Sequence, residues 1–515
     1  MKGPRAPRPY ARTMQRATAL LFGAVLALSS AGPVGAADTT VTISQGVDAD
    51  TLNPLSKTVT PLNNVVQHFY ERLADFGNRS GEYIPLLAVS WKRINPTTEE
   101  YKLRRGVTFS NGDPFTSADV RFSVEWIKDR SHASEQTPFV RDIDRVETPD
   151  PYTVRFISKV PTAIPPGLQQ PIFIADAKYF QEKGAAYVGE HPVGTGPYVL
   201  REWKRDDQLV MDVNPKWWGG RPKIDHVVFK PIPEAAARVA ALRTGATDLI
   251  TNVPPQYYAQ ISGGQNTKLE STRSLRQLFI AFNTLQPGPQ QNKLVRQAIN
   301  YAVDVPAIVK NVLGGHGYDL TSPIPPNYFG YDPSVPGYKH DPAKAKALLA
   351  KAGYPDGKGI SLVVNAPIGR YNRDREVAEA LAGQLQAAGI TATVKPQEWV
   401  SYSTMVGKRA LSPLYELGWN QPSADADGVV TALFTSSGPL SCYANPEVDK
   451  LADEARGELD VGKRKALYKR IAMILHEDAP WIVLFEYEDL YATSKRLHFQ
   501  PRGDEAIRAY EMSIT

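Results

Sequence analysis

The chain has 515 residues, of which 42% are hydrophobic, 10% aromatic and 22% charged. This length exceeds the roughly 250–300 residues at which a single core stops growing, so we expect at least two domains, and the apolar content excludes a disordered chain. Five basic residues near the N-terminus account for the whole formal charge of +5: Lys2, Arg5, Arg8, Arg12 and Arg16. The remainder is close to neutral and has no basic stripe, which predicts no nucleic-acid partner.

The first 37 residues have the pattern of a secretory signal peptide. The basic residues precede an apolar run at 17–28, which is too short for a membrane span, and small residues follow at 34–37. We expect cleavage after Ala36 or Ala37 in Sec-type export, because no Arg-Arg pair indicates the twin-arginine route. No cysteine stands at the cleavage point, so the sequence predicts a soluble exported protein without a lipid anchor.

Before residue 190, the chain is predicted to form short strands and two helices. Alternating apolar residues indicate the strands, and helical spacing behind capping residues indicates the helices. The predicted strands are 40–44, 100–103 and 152–157, and the predicted helices are 65–73 and one that opens at a capping box formed by Thr116 and Asp119.

Residues 191–200 have the sequence His-Pro-Val-Gly-Thr-Gly-Pro-Tyr-Val-Leu, a turn-rich stretch that leads into a strand. Gly194 and Gly196 permit positive φ, and the prolines fix φ. We interpret the stretch as a connector between domains. A phosphate-binding loop is the alternative, but a third glycine and a Lys-Ser/Thr pair are missing and no helix follows.

The C-terminal two-thirds of the chain alternates strands with amphipathic helices. The predicted strands are 208–213, 226–232, 248–250, 275–283, 361–365, 392–395, 415–419 and 481–485. The predicted helices are 234–243, one from Asp341 to Gly353, one with Val377 and Leu381 on its apolar face, and one with Leu467 and Ile471. This alternation predicts an α/β fold with mostly buried sheets, in which a ligand crevice lies where strand ends meet between domains.

Catalytic signals are weak. The only cysteine, Cys442, excludes an intrachain disulfide and is interpreted as a small buried side chain. There is no Gly-x-Ser-x-Gly elbow and no His-Glu-x-x-His motif. A secreted hydrolase remains an alternative, because two pairs of carboxylates have the i, i+2 spacing that places them on one face of a strand: Asp425 with Asp427, and Glu486 with Glu488.

A series of short motifs, in order over nearly the whole mature chain, resembles the family 5 extracellular solute-binding proteins, the peptide, opine and nickel receptors of bacterial ABC importers. Each motif is weak alone, but their ordered occurrence behind a signal peptide is specific. The motifs are Thr-Leu-Asn-Pro at 51–54, Tyr-Glu-Arg-Leu at 70–73, Pro-Leu-Leu-Ala-Val-Ser-Trp at 85–91, Leu-Arg-Arg-Gly-Val-Thr-Phe at 103–109, Gly-Thr-Gly-Pro-Tyr at 194–198, Arg-Gln-Ala-Ile-Asn-Tyr-Ala-Val-Asp at 296–304, Leu-Leu-Ala-Lys-Ala-Gly at 348–353 and Asp-Ala-Pro at 478–480.

The resemblance implies a two-lobed periplasmic-binding-protein fold, type II, in its large three-region variant. Residues 38–69, 194–283 and 488–515 would form a discontinuous first lobe, 70–193 a family-specific insert, and 284–487 the second lobe. A hinge would close the lobes over the solute. The expected protein is a monomeric periplasmic receptor without catalysis, cofactor or metal, and its partners are a small or peptide ligand and an ABC permease in the inner membrane.

The strand that ends in Gly418 and Trp419 leads into the loop where peptide receptors of this family hold the ligand ammonium. Where dipeptide receptors have an aspartate shortly after the tryptophan, this chain has Pro422. Asp425 or Asp427 could take over that role, because a buried cation needs a counter-charge. The alternative is that both cap a helix that starts near residue 428.

The other candidate ligand-binding residues follow from the same resemblance. Arg370, next to Tyr371, matches the position that holds a ligand carboxylate, although a solvated loop arginine is equally compatible with the sequence. Trp419, followed by Asn420, could form a flat wall or pack in the core. Asn283, at a strand end, could meet the ligand or the hinge backbone.

The sequence leaves the ligand open among dipeptides, oligopeptides, glutathione-like peptides, opines, and nickel or haem complexes.

Overall fold

We describe the protein from a computed structural model. The structure describes residues 39–77, 82–165, 168 and 172–515, so the predicted signal peptide lies outside the described residues. Among the described helices, none combines the length and the apolar character that a membrane span requires.

The strands in the described part of the chain are β1 (Thr40–Gln45), β2 (Ala74–Phe76), β3 (Tyr83–Pro85), β4 (Ala88–Asn95), β5 (Thr98–Leu103), β6 (Ile143–Asp150), β7 (Thr153–Ser158), β8 (Tyr198–Lys204), β9 (Gln208–Val213), β10 (His226–Pro231), β11 (Leu249–Ile250), β12 (Thr267–Phe282), β13 (Gly317–Asp319), β14 (Ser361–Ile368), β15 (Thr391–Glu398), β16 (Leu414–Asn420), β17 (Trp481–Ser494), β18 (Leu497–His498) and β19 (Ser513–Ile514). The α-helices there are α1 (Thr60–Val66), α2 (Ser117–Lys128), α3 (Thr137–Val140), α4 (Ala177–Lys183), α5 (Ala185–Val188), α6 (Ala235–Thr244), α7 (Tyr258–Ser262), α8 (Lys293–Ala302), α9 (Val305–Val312), α10 (Pro342–Lys351), α11 (Asp374–Ala387), α12 (Trp399–Gly407), α13 (Ala426–Leu433), α14 (Pro446–Gly457) and α15 (Val461–Asp478).

One large mixed sheet runs through the described part of the chain. Its strand order is β15-β14-β16-β12-β17-β11-β1-β10-β9-β8, and β13 pairs with β17. The first lobe is built on β1 and β8–β11, and the second lobe on β14–β16. Two antiparallel strands join them: β12 has 16 residues and β17 has 14. The strands predicted at 275–283 and 481–485 are therefore only parts of two longer strands that run between the lobes.

Both faces of the second-lobe sheet are buried, and β12 shows why. Leu278 and Ile280 point into one hydrophobic cluster with α8 and α11, whereas Phe279 and Ala281 point into another with α13 and α15. Alternate residues of a strand face opposite sides of a sheet. A strand covered on both sides therefore has the continuous apolar run seen here, and the predicted α/β layering is confirmed.

A smaller antiparallel sheet, in the order β4-β5-β7-β6, has a hydrophobic core of its own that includes Tyr101, Phe109 and Phe156. Helix α2 contacts this sheet. The predicted capping box at its start is confirmed, since the backbone N–H of Thr116 donates to Asp119 Oδ2 at 2.8 Å.

The connector at 191–200 needs its glycines for close packing rather than for positive φ. Neither Gly194 nor Gly196 is among the glycines with positive φ. A Cβ added to Gly194 would lie 2.1 Å from the Phe69 carbonyl oxygen, and one added to Gly196 would lie 2.6 Å from that of His68. The positive-φ interpretation is therefore wrong, and the strand β8 follows as predicted.

The predicted helix 65–73 is wrong, because the helix there is α1 at Thr60–Val66. Pro61 starts the helix earlier, and the apolar spacing of the sequence continues into a buried turn rather than a helix.

The helix predicted to start at Asp341 is confirmed, because the Asp341 carboxylate accepts the backbone N–H of Lys344 at 2.9 Å. Cys442 is buried and free, as predicted.

Candidate functional site

A β-bulge in the two joining strands marks the boundary between the lobes. Arg273 of β12 lies opposite Glu488 of β17, but the next paired residues are Gln277 and Glu486. Three residues of β12 therefore lie opposite one residue of β17. A bulge bends a strand and redirects its side chains, and here the bulge includes Arg276.

Two adjoining cavities lie beside this bulge, between the first lobe and the loop at 369–372 of the second lobe. We call them the interlobe cleft. The side chains that line both cavities are Asn252, Arg370, Asp489, Leu490 and Glu505. The cavity volumes are about 50 and 20 Å³, far below the roughly 300 Å³ of a small ligand site.

Arg276 connects the two lobes across the cleft. Its guanidinium donates to Thr60 Oγ1 of α1 at 2.8 Å and to the Gly418 carbonyl oxygen of β16 at 3.0 Å. It also forms an ion pair with Glu505, with 2.8 Å between Nη2 and Oε2. The Arg276 side chain is only 5% exposed. The charges of Arg276 and Glu505 are therefore paired, and the guanidinium is also hydrogen-bonded to Thr60 and Gly418.

Arg370 is held in place by its backbone and leaves its guanidinium unpaired. The Asp374 carboxylate accepts the backbone N–H groups of Arg370 and Tyr371 at 2.9 and 3.1 Å. The guanidinium carbon lies 4.8 Å from the centre of the Tyr371 ring and 5.2 Å from that of Trp399. Among the described residues, Nε has no hydrogen-bond partner, and burial, then the nearby Arg276, lowers the pKa of Arg370. The solvated-loop alternative is therefore wrong.

Asp489, on β17, is a second charged group of the cleft that forms no ion pair within the described chain. Its Oδ2 is buried and has no partner there. Burial, followed by repulsion from Glu505, raises the pKa of Asp489 well above the ordinary value. A side-chain hydrogen bond with Ser274 and the attraction of Arg276 and Arg370 lower the pKa and offset only part of this rise. A cation placed next to this carboxyl group would favour its ionised form.

Of the other candidates, Tyr371 lines the smaller cavity and donates its hydroxyl to the Gly418 carbonyl oxygen at 3.3 Å. Trp419 and Asn420 lie at the end of β16, outside the residues that line the two cavities. Asn420 donates to the Asp504 carbonyl oxygen at 3.0 Å. Trp419 Nε1 and Asn420 Oδ1 are buried and lack a partner in the part of the chain described.

Asp425 and Asp427 are occupied by arginines of the second lobe. Asp425 is the N-cap of α13 and accepts two bonds of 2.7 Å from Arg464. The capping interpretation is confirmed for Asp425, although the helix starts at residue 426. For Asp427 that interpretation is wrong, because its oxygens each accept a bond of 3.1 Å from Arg456. Neither carboxylate is free for a ligand ammonium.

Asn283 lies away from the cleft. It is fully buried just after β12 and donates its amide to the carbonyl oxygens of Arg409 and Leu411 at 3.1 and 2.8 Å. Both partners lie in the loop before β16, and Asn283 is not among the residues that line the two cavities. The structure therefore does not bring Asn283 to the cleft.

The remaining carboxylate pair is also occupied. Glu486 accepts two bonds from Arg273, of 2.7 and 2.5 Å, and Glu488 lies 2.7 Å from His316 Nδ1. Within the described ranges, no group of three His, Cys, Asp or Glu residues could hold a metal ion.

Sequence reasoning missed Arg276, Asp489 and Glu505. Asp489 is the last residue of Glu-Tyr-Glu-Asp at 486–489, and no local pattern separates it from its neighbours. Its position depends on the register shift between β12 and β17, and that of Glu505 on the return of the C-terminal tail to α1. Tertiary contacts alone bring these groups together.

Comparison with known proteins identifies one family. The family model described as bacterial extracellular solute-binding proteins, family 5 middle, matches residues 82–440. The glutathione-binding protein GsiB of Shigella dysenteriae is 29% identical over 501 residues, which cover 95% of this chain and 96% of that protein. Heme-binding protein A of Haemophilus influenzae is 30% identical over 452 residues, with 82% of each chain covered.

A solved structure has the same fold. It is the ABC transporter-associated periplasmic binding protein DppA from Helicobacter pylori in complex with the peptide STSA. The match has a TM-score of 0.83 at 25% identity and covers 92% of this chain and 98% of that one. The two-lobed fold is therefore shared.

Proposed function

Because the chain belongs to the family 5 bacterial extracellular solute-binding proteins, we propose that it captures a short peptide or peptide-like solute in the interlobe cleft and delivers it to an ABC permease. The relatives support this class, since one is named for glutathione and a solved structure holds a peptide. The protein is a periplasmic receptor. Its leader is cleaved after Ala36 or Ala37, and it works as a monomer without a lipid anchor.

The observation that carries the proposal is the unpaired guanidinium of Arg370. A buried charge without a partner is costly, and this one faces a cleft between two lobes. Arginine offers two parallel N–H donors that fit a carboxylate. The solute therefore carries a carboxylate that binds Arg370, with Tyr371 beside it and Trp419 and Asn420 at the edge.

Solute entry requires the lobes to separate. The cavities are smaller than a dipeptide needs, whereas the bulge between β12 and β17 provides a place for bending. We assign residues 38–69, 194–283 and 488–515 to the first lobe, 70–193 to the insert and 284–487 to the second lobe. The solute binds the closed form more tightly than the open form, and this difference in affinity stabilises the closed form.

Hydrolysis is not part of the proposal. Arginine or histidine partners hold the carboxylates of both candidate pairs, so none is placed to act as a general acid or base on a bound solute. We assign no cofactor and no metal. Binding alone is the function.

A thermal-shift screen of the mature protein tests the proposal. A solute that binds only the native state raises the melting temperature. We expect a rise with the dipeptide Met-Leu or with glutathione, and recovery of the solute unchanged after incubation. A rise only with an opine or a nickel chelate would contradict the peptide class, and cleaved peptide would contradict a pure receptor.

A further inference from the structure

Five charged side chains line the cleft: Arg276, Arg370, Glu488, Asp489 and Glu505. Glu488 faces His316 at 2.7 Å, and of the other four only two form an ion pair with each other. Arg276 and Glu505 form an ion pair that also bonds to Thr60 and Gly418. The guanidinium of Arg370 and the carboxyl of Asp489 are not within 4.0 Å of an opposite charge in the described residues. One site for a negative group and one for a positive group therefore remain.

These two groups are held in place by different parts of the molecule. Arg370 belongs to the loop after β14 in the second lobe, where the Asp374 carboxylate and two aromatic rings fix it. Asp489 lies on β17, one residue beyond the bulge on the first-lobe side. Both line the two cavities. A solute that bridges them would hold the lobes together.

We propose that Asp489 receives the ammonium group of the solute while Arg370 receives its carboxylate, so that the ligand is a zwitterion with a free amine. This inference rests on the proposed function. It gives Asp489 the role of the aspartate that dipeptide receptors have where this chain has Pro422. Asp425 and Asp427 do not compete, because Arg464 and Arg456 occupy them. Glu505 does not compete, because Arg276 occupies it.

The electrostatics of Asp489 support this assignment. Burial, then the neighbouring Glu505, raises the pKa of Asp489. An arriving ammonium group adds an opposite charge in direct contact and stabilises the ionised form. An amide or ester at the same place on the solute would not, so the site distinguishes free from blocked amines.

Calorimetric titration of the wild type and Asp489→Asn with four probes tests the assignment. The probes are Met-Leu, glutathione and the N-acetylated form of each. Wild type is expected to bind an unblocked probe at least tenfold more tightly than its acetylated form. Asp489→Asn should bind the two forms within about twofold of each other, because the asparagine side chain offers no charge to the ammonium.

Asp425→Asn is the matched control, because Asp425 is the carboxylate that the sequence offered for this role. It should keep the preference for the free amine. Melting of each variant without solute shows whether it folds. The assignment is overturned if folded Asp489→Asn keeps the tenfold preference, or if Asp425→Asn loses it. If the wild type binds none of the probes, the peptide class itself fails and this inference with it.

Discussion

Among the clusters of arginine and carboxylate side chains in the described residues, two differ in how their charges are paired. In the helix cluster, formed by Asp425, Asp427, Arg456 and Arg464, every carboxylate oxygen has an arginine donor. In the cleft cluster, formed by Arg276, Arg370, Asp489 and Glu505, Arg276 pairs with Glu505, whereas Arg370 and Asp489 form no ion pair among the described residues. The two clusters contain the same kinds of side chains, but only in the helix cluster do all the charges form ion pairs.

The difference separates a structural role from a binding role. A buried ion pair whose hydrogen bonds are complete fixes the elements that supply it, whereas unpaired buried charges cost stability. Such a cost is retained where a ligand compensates for it. The aspartates that the sequence offered as binding residues therefore hold α13 to α14 and α15, and the binding groups that we propose lie at the bulge.

The largest expected effect comes from breaking the helix cluster. Arg456→Met removes the partner of Asp427 and of Asp142, which lies 2.5 Å from Arg456 Nη1. Asp142 is half-buried and keeps Arg141 at 3.5 Å, but leaving the buried Asp427 without its arginine should lower the free energy of unfolding by about 3–5 kcal/mol in urea denaturation. In the control, Arg470→Met removes the exposed pair with Glu447 and should cost less than about 1 kcal/mol. Equal losses would contradict the structural role of the cluster.

The comparison extends to His68, a buried side chain whose two hydrogen bonds both form only when its ring is neutral. His68 Nδ1 donates to the Asn64 carbonyl oxygen at 2.8 Å, and Nε2 accepts the Ala509 N–H at 3.0 Å. Burial lowers the pKa of His68 from 6.5 to about 4. The unfolded chain therefore binds the proton first, so the contribution of His68 is complete above pH 6.5 and is lost as the pH falls to 4.

That loss should reach about 3 kcal/mol, since one pKa unit corresponds to about 1.4 kcal/mol. The measurement is urea denaturation at pH 7 and pH 4.5, for wild type and His68→Gln. Because the other titrating groups are common to both proteins, the variant should lose less stability than the wild type over this interval. Parallel losses would show that His68 does not titrate as its contacts predict.

Glu416 sharpens the comparison, because it is an unpaired carboxyl outside the cleft. Both its oxygens are buried and lack a partner in the described structure, and burial, then Asp374, raises the pKa of Glu416 well above 4.5. Stability is therefore lost as the pH rises above 4.5, where the unfolded glutamate ionises. Glu416→Gln should unfold less easily than wild type at pH 8, by about 1–3 kcal/mol.

The gain from Glu416→Gln should shrink as the pH is lowered towards 4.5, and solute affinity should not change. Chemical denaturation at both pH values, together with a glutathione or Met-Leu titration at pH 7, checks both statements. Weakened binding would mean that an unpaired carboxyl need not lie in the cleft to affect the solute.

Local sequence signals predicted the fold better than the site. The helix start at Asp341, the capping box at Thr116 and the α/β alternation follow from residue type and spacing, and all are confirmed. The helix at 65–73 was wrong because the same apolar spacing describes a buried turn. Local rules do not distinguish these two environments.

The site could be predicted only in part. Arg370 was proposed from its loop and the family resemblance, and the structure places it in the cleft. Asp489 was not found, because a register shift of the strands brings it to the cleft and no local pattern encodes that shift. Asp425 was misleading, because its partner Arg464 is 39 residues away in sequence.

The most direct measurement compares two arginines, one from each cluster. Arg370→Gln and Arg464→Gln are melted with and without saturating glutathione or Met-Leu. Without solute, we predict that Arg370→Gln melts near the wild type, because the Arg370 guanidinium forms no ion pair within the described chain whose loss would destabilise the fold. With solute, Arg370→Gln should lose the rise in melting temperature. Arg464→Gln should melt lower and keep the rise. If Arg370→Gln keeps the rise, or Arg464→Gln alone loses it, the division into a structural and a binding cluster is contradicted.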